Sequence, residues 1–545
     1  MAEKKTSGSK PENTEKKITK SKIKRKSVKG LRKILSGILH IVCSRVVLFA
    51  LLIALQVGLM LAWLLWLNTR VSFLYPFAYI LAIIILITIV NRKWNPTFKL
   101  SWIIPILIFP VFGCGAYIFV QLQIGSYMLK KNIATITDKT KHFLTQDEET
   151  IVSLREADKG AGNLAGYVYE QAHAPVYRNS FAKYYSSGEE MFPDILSELE
   201  SAQHFIFIEM FIVEAGKVWD PILEILKRKA SEGVEVRLMY DGTNALATLT
   251  PGYYKKLRKM GIKSKPFSKM VPLVTTYQNN RDHRKIIDID GRAVFTGGIN
   301  FADEYMNFKK RYGDYWKDSG VMLRGEAVKT FTLMFLQNWN VREKTIDNFE
   351  RYVCGLPQER YDQSGYMIGY GDTPFNDEEI AESVYMDIIN SAKEYVHIIT
   401  PYLVLDDQMQ HALSYAAKRG IDVTIIMPGV ADKSYVYCLS RTYYRDLIQA
   451  GVKIYEFTPG FSHAKMFTSD DKCAVVGSIN LDFRSLYLHF ECGVYFYDSP
   501  IVTSAEEDFQ NTLKECNIVT DLECRNRPIW YKFCGKVLRL FAPLM

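Results

Sequence analysis

The sequence predicts an α/β protein made of two related halves, preceded by helices that span a membrane. Three observations lead there. Long apolar runs lie near the N-terminus. Beyond about residue 170, short β-branched runs alternate with amphipathic stretches, the rhythm of strands covered by helices. That same region repeats itself at offsets of 190 and then 180 residues, with the same polar residue types in register. At 545 residues, 48% hydrophobic and 23% charged, the chain has material for two or three domains with proper cores.

Residues 1–45 carry fourteen Lys or Arg against three Glu, a local charge of +11. The whole chain has a formal charge of +9, so everything after this tail sums to about −2. The basicity belongs to the tail and not to the folded body. A lysine-rich segment with so little apolar surface has nothing to bury and is expected to be disordered. Beside a membrane span it reads either as a solvated tail or as one drawn to an anionic leaflet, with a nucleic-acid arm as a third reading. It lacks the small-residue cleavage site of a signal peptide and is too long for the basic region of one.

Residues 46–122 form the expected membrane region. Residues 46–67 include one polar side chain, Gln56, and at about 1.5 Å per residue they cross a hydrocarbon core of about 30 Å. Residues 73–90 are a second apolar segment, and 102–120 a third, interrupted by Pro105, Pro110, Gly113 and Gly115. The positive-inside bias keeps the tail cytoplasmic, and Arg92, Lys93 and Lys99 agree with it. A third crossing would put the body outside. Against that, Lys130 and Lys131 follow the third segment, and nine scattered cysteines without a CxxC spacing point to reduced, buried thiols. The expectation is a third segment that enters and returns, in a multi-pass protein of the cell membrane whose body lies on the cytoplasmic face.

A linker is expected over 123–170, a first domain over 171–352, a connector over 353–380 and a second domain over 381–520. The repeat sets these limits. Residues 201–209 match 391–399, a helix end feeding a strand, and 257–262 match 447–452 at the same offset of 190. The offset then drops to 180, because the first half carries about ten extra residues around 271–280. There the match is densest. His283, Lys285 and Asp290, followed by Gly297 and Asn300, recur as His463, Lys465 and Asp470, followed by Gly477 and Asn480, with Ser478 in the second copy. The last segment, 521–545, sets Trp530, Tyr531, Phe533, Leu538 and Phe541 among basic residues. It is an amphipathic piece that lies on a membrane or docks on the body.

HxKxxxxD twice in one chain resembles the phospholipase D superfamily, over roughly residues 170–520. The runs 400–403, 477–485 and 540–544, together with the apolar N-terminus, are similar to bacterial cardiolipin synthases in particular. The resemblance implies duplicated phospholipase D-type domains with pseudo-twofold symmetry and one active site at their interface. It implies His283 as nucleophile and His463 as acid and base, although the repeat is symmetric enough for these roles to be exchanged.

The residues account for such chemistry. Two residues apart on a strand, His283 and Lys285 emerge on one face. Asp290 and Gly291 make a hairpin turn, 292–298 returns as the partner strand, and Asn300 closes over the same pocket. A phosphodiester must have its anionic oxygens neutralised before a nucleophile can approach. Lys285, Lys465, Asn300, Ser478 and Asn480 supply charge and donors for that. One imidazole attacks phosphorus, while the other protonates the departing alkoxide and then deprotonates the incoming hydroxyl. No step requires a metal or other cofactor, and the histidines show no HxH or HExxH spacing. Asp290 and Asp470 complete the motif, but at the turn, seven residues from their histidines, they read as structural.

Better candidates for orienting the histidines are Asp318 and Glu491, each followed by a small residue, a glycine and a strand. An imidazole that becomes charged needs an acceptor on its other nitrogen. Glu209 and Tyr402 lie at equivalent strand ends, facing the cleft or closing the core. Arg484 and Ser485 bind a second phosphate or brace a loop. The motif alone fits lipid hydrolysis, phosphatidyl transfer, phosphatidylserine synthesis or nucleic-acid cleavage. A body without excess positive charge argues against nucleic acid, and the apolar N-terminus for lipid. A silent scaffold is disfavoured by two intact motifs. The resemblance then selects transfer between two phosphatidylglycerol molecules, with anionic membrane lipids as partners; the alternatives are another phosphatidyltransferase or a lipid hydrolase.

Overall fold

A computed structural model describes Gly58 and residues 74–121, 124–268, 280–343, 345–355, 359–376 and 378–544. The basic tail, nearly all of 46–67 and most of the insert around 271–280 lie outside these described residues. The chain divides into an N-terminal unit, residues 1–93 with 102–118, and a body, residues 94–101 with 119–545.

In the N-terminal unit, helix Leu74–Val90 is apolar on every side, with Phe77, Ile80, Ile83, Ile84 and Ile87 all exposed. No helix among the described residues is long and apolar enough to cross a membrane. Leu74–Val90 has 17 residues, or about 25 Å at 1.5 Å each, against a hydrocarbon core of about 30 Å. The expected run 102–120 is not one helix either. Helices Pro96–Ile108 and Pro110–Gln121 are separated at Phe109. A Cβ on Gly113 would stand 2.6 Å from the Ile106 Cα, so the chain doubles back where only glycine fits. In a continuous helix, residues seven apart would be about 10 Å apart along the axis.

The body contains two sheets of the same design. The first is built from β1 (Phe181–Tyr185), β2 (Phe205–Met210), β3 (Glu235–Asp241), β4 (Lys263–Phe267), β5 (Ile286–Ile289), β6 (Ala293–Gly297) and β8 (Gly320–Arg324), with the short β7 (Tyr315–Lys317) outside it. Its order is β1-β8-β6-β5-β2-β3-β4, with β2, β3 and β4 parallel and the other pairs antiparallel. The second half supplies β9 (Tyr366–Asp372), β10 (Tyr395–Ile399), β11 (Leu403–Val404), β12 (Asp422–Pro428), β13 (Lys453–Phe457), β14 (Gly460–Ser462), β15 (Met466–Ser469), β16 (Cys473–Gly477), β17 (Leu481–Asp482), β18 (Glu491–Tyr497) and β19 (Cys516–Ile518). The order β9-β18-β16-β15-β10-β12-β13-β19 repeats the first sheet and adds one edge strand. Strands β2 and β10 are almost wholly buried, as expected of apolar runs covered on both faces.

Two expected boundaries shift. The region 123–170 is helical (Ile124–Thr140, Glu148–Ala157, Lys159–Ala172), and Leu154, Leu164 and Ala165 join the core of the second half. The connector 353–380 contains β9, an edge strand of the second sheet. The apolar faces of the two sheets meet in a shared core that includes Ile286, Val294, Val321, Met466, Val476 and Val494. The eight described cysteines are all free, half of them buried, with Cys354 and Cys534 exposed.

Candidate active site

The segments that carry the two histidines lie just outside the sheets. Strand β5 begins one residue after Lys285 and β15 one residue after Lys465, so neither HxK stretch is itself in a ladder, contrary to the sequence expectation. Each is pinned across the interface instead. The His283 N–H donates to the Phe490 carbonyl (2.9 Å) and the His463 N–H to the Lys317 carbonyl (2.6 Å). Beside them, β14 pairs in parallel with β7, and Asp282 bridges Phe490. The next residue on each receiving segment is the carboxylate: Glu491 after Phe490, Asp318 after Lys317.

The pairing is therefore exchanged between halves. His283 Nδ1 lies 2.9 Å from both Glu491 oxygens, and His463 Nδ1 lies 2.7 Å from Asp318 Oδ2. All four groups are buried. Lys285 donates to the His283 carbonyl and Lys465 to the His463 carbonyl. With each Nδ1 facing a carboxylate, Nε2 is the ring nitrogen turned away from it.

The charges are held in tension. Burial, then Lys285, Lys465 and His463, hold His283 far below the ordinary imidazole value. Burial and Lys465, opposed by Asp318, bring His463 down to about 4. Burial lowers Lys285 to about 8 against the pull of Glu491, and Lys465 to about 7 against Asp318. Burial raises Asp318, yet His463 and Lys465 keep it below the ordinary carboxylate value. Each histidine feels the lysine of the other half, so the two motifs form one electrostatic unit. An arriving anion would favour the charged forms of these groups.

The structure places the remaining expected residues as follows. Asn300 is buried; its Oδ1 accepts from the Ile212 N–H (3.0 Å), and its Nδ2 has no hydrogen-bond partner among the described residues. Asn480 is buried as well. Ser478, expected at the phosphate, instead donates to Glu491 Oε2 (2.5 Å) and braces that carboxylate. Its counterpart is Gly298, where a Cβ would stand 2.0 Å from Asp318 Oδ1, so glycine is what lets Asp318 reach His463.

Asp290 and Asp470, grouped with the catalytic residues by the motif, do not face the histidines. Asp290 accepts from the N–H groups of Gln203, His204 and Phe205 (2.7–2.8 Å), and Asp470 from those of Lys393, Glu394 and Tyr395 (2.7–2.9 Å). Each sits at positive φ in its hairpin turn and satisfies the start of β2 or β10. Glu209 is buried, with its Oε1 accepting from the Asn338 amide, and Tyr402 donates to Asp432. Asp482 caps the short helix Phe483–Tyr487 that follows β17, accepting from the Ser485 N–H (2.8 Å).

Aromatic rings pack around both histidines. Phe211 meets the His283 ring edge-on at 4.5 Å, and Tyr305 meets His463 at 5.4 Å. Trp316 lies 5.4 Å from His463, and His489 lies 5.6 Å from His283. Trp316 and His489 each stand two residues before the carboxylate that meets a histidine of the other half, a correspondence the repeat contained. Among the described residues, His283, His489 and Glu491 bring their ligand atoms within 4.8 Å, close enough to hold a metal ion. A cation there would compete with the His283–Glu491 hydrogen bond and face Lys285 and Lys465.

The family described as "Cardiolipin synthase, PLD-like domain" matches residues 195–339 and 385–513, one stretch in each half, and "Phospholipase_D-nuclease N-terminal" matches residues 80–121. An uncharacterized protein of Streptococcus mutans is 46% identical over 84% of this chain and 98% of its own length. The cardiolipin synthase of Alkalihalophilus pseudofirmus is 34% identical over 85% of this chain and 91% of its own, and that of Halalkalibacterium halodurans 33% over 91% and 98%. The crystal structure of phosphatidylserine synthase from Haemophilus influenzae shares the fold at a TM-score of 0.50 and 14% identity, covering 67% of this chain and 93% of that one.

Proposed function

The chain belongs to the bacterial cardiolipin synthases of the phospholipase D superfamily and is a phosphatidyltransferase, and from that premise we propose that it joins two phosphatidylglycerol molecules through a phosphohistidine. The observation that carries this reading is the exchanged pairing, in which the carboxylate of each half holds the histidine of the other. One site then owns two imidazoles, each with its Nδ1 anchored and its Nε2 free to act.

In the first step His283 Nε2 attacks phosphorus. The P–N bond forms as the P–O bond to glycerol breaks, and His463 gives its proton to the departing oxygen. In the second step His463 takes the proton from a hydroxyl of the second phosphatidylglycerol. That oxygen attacks phosphorus and the P–N bond breaks, giving cardiolipin. Glu491 stabilises the charge that develops on His283, and Asp318 orients His463 and favours its protonated form when substrate is bound. Lys285, Lys465, Asn300 and Asn480 bind the phosphoryl oxygens. The reading includes a cytoplasmic body and an N-terminal region that enters the bilayer; the sharp turn at Gly113 supports a segment that returns to its side of entry.

The test is to trap the intermediate. His463→Ala cannot protonate a glycerol alkoxide, but a phosphatidyl ester of p-nitrophenol needs no such proton. With that substrate, radiolabelled phosphorus is expected to accumulate on the peptide containing His283. Label on the His463 peptide of His283→Ala, with none on His283 in His463→Ala, exchanges the two roles. No covalent label in either variant overturns the phosphohistidine. Lipid products from unlabelled phosphatidylglycerol identify the acceptor.

A further inference from the structure

The C-terminal helix Ile529–Phe541 is two-faced in a way the active site does not explain. Its inner face is docked. A Cβ on Gly535 would stand 2.5 Å from the Thr442 Cγ2, so the helix lies close against helix Ser434–Ala450. Arg539 stacks over the Tyr443 ring (4.3 Å) and bonds to Gln410 (2.8 Å), Leu538 packs on the core of the second half, and Ala542 is buried. The helix is thus held in a fixed orientation.

Its outer face is apolar and uncovered. Ile529, Trp530, Phe533, Val537, Leu540 and Phe541 are exposed by 85, 65, 68, 37, 57 and 50%. At about 100° per residue these six side chains fall within an arc of about 120°, opposite Gly535. Lys532 and Lys536 flank one edge, and no acidic residue occurs from Arg525 to the last residue, while Arg525, Arg527, Lys532, Lys536 and Arg539 are basic. An aromatic and aliphatic stripe edged by cations matches the boundary between acyl chains and anionic headgroups.

We infer that this stripe seats the body on an anionic bilayer surface, independently of the N-terminal segments. The docking partner makes the placement matter. Helix Ser434–Ala450 starts directly after Lys433, whose charge is felt at His283, and the C-terminal helix touches it from Cys438 onward. Burying the stripe would hold helix Ser434–Ala450, and with it the segment that leads to Lys433, against the leaflet that supplies lipid substrates.

The test uses the full chain in nanodiscs of phosphatidylcholine and phosphatidylglycerol. Subtracting the emission of Trp530→Phe from that of the native chain isolates Trp530. Its emission is expected to shift to the blue and to fall by more than half when the acyl chains carry bromine, and by much less in discs of phosphatidylcholine alone. Water-like emission overturns the inference. So does blue-shifted emission that bromine leaves untouched, which would mean that another protein surface covers the stripe. Equal quenching in discs of phosphatidylcholine alone overturns the anionic preference. In parallel, the double variant Phe533→Ser with Leu540→Ser should lower the ratio of bilayer to detergent-micelle turnover about tenfold. An unchanged ratio overturns the functional half of the inference.

Discussion

At the scale of single residues, the site is built around two contacts between imidazole and carboxylate. Asp318→Asn and Glu491→Gln keep the shape of each acceptor and remove its charge. Losing such a partner costs a few kcal/mol of transition-state stabilisation, so each variant is expected to lose roughly a hundredfold or more in turnover with little change in melting temperature. Near-native turnover in well-folded protein would show that these carboxylates do not support the histidines. The lysines give a pH signature. Both have values lowered by burial, Lys465 to about 7 and Lys285 to about 8, so raising the pH through this range removes positive charge from the free enzyme. The kcat/KM for phosphatidylglycerol should therefore fall as pH rises through 7 to 8. The matching limb of kcat should lie higher, because a bound phosphate holds the protons on. A kcat/KM that stays level to pH 9 would contradict that.

At the scale of elements, the turn aspartates show how a motif residue can serve the fold. Asp290 and Asp470 each satisfy three backbone N–H groups at the entrance to a central strand. Removing such an acceptor breaks all three bonds; the donors around Asp290 include the buried Phe205 N–H, whereas those around Asp470 are more exposed, and the cost is about 1–3 kcal/mol, larger at Asp290. Asp290→Ala and Asp470→Ala should lower the melting temperature in detergent by several degrees, while turnover per folded molecule stays within about threefold of native. Loss of turnover at an unchanged melting temperature would return these residues to the chemistry. The turn at Asp290 was legible in the sequence, since Asp-Gly at 290–291 reads as a hairpin turn, and the repeat carries the same position to Asp470. The break of the third apolar segment was only half legible. Pro105 and Pro110 announced an interruption, but not that Gly113 would meet the Ile106 backbone.

At the scale of the whole molecule, the two halves make one machine. Since each histidine is anchored by the opposite half, His283→Ala or His463→Ala alone is expected to abolish transfer. Two independent sites would instead leave about half the turnover in each single variant, and that result would sink the shared site. The arrangement also explains why the apolar faces of the two sheets are merged into a common core. A hinge between the halves would stretch the 2.7 Å and 2.9 Å contacts on which both imidazoles depend.

The sequence by itself determined the duplication, the strand rhythm, the two HxK pairs and the candidacy of Asp318 and Glu491. All of these are local patterns, or repeats of local patterns, written along the chain. It could not determine which carboxylate serves which histidine, because that pairing joins residues 145 and 208 positions apart across an interface. Nor could it show that Ser478 braces Glu491 while Gly298 makes room for Asp318, or that Phe211, Tyr305, Trp316 and His489 pack around the two histidines. The two faces of the C-terminal helix follow the same division. Its amphipathic pattern was visible in the sequence, but which face lies against the protein was fixed by the fit of Gly535 against Thr442. Periodicity follows from backbone geometry and is local, whereas partnership follows from packing and exists only once distant segments have been brought together.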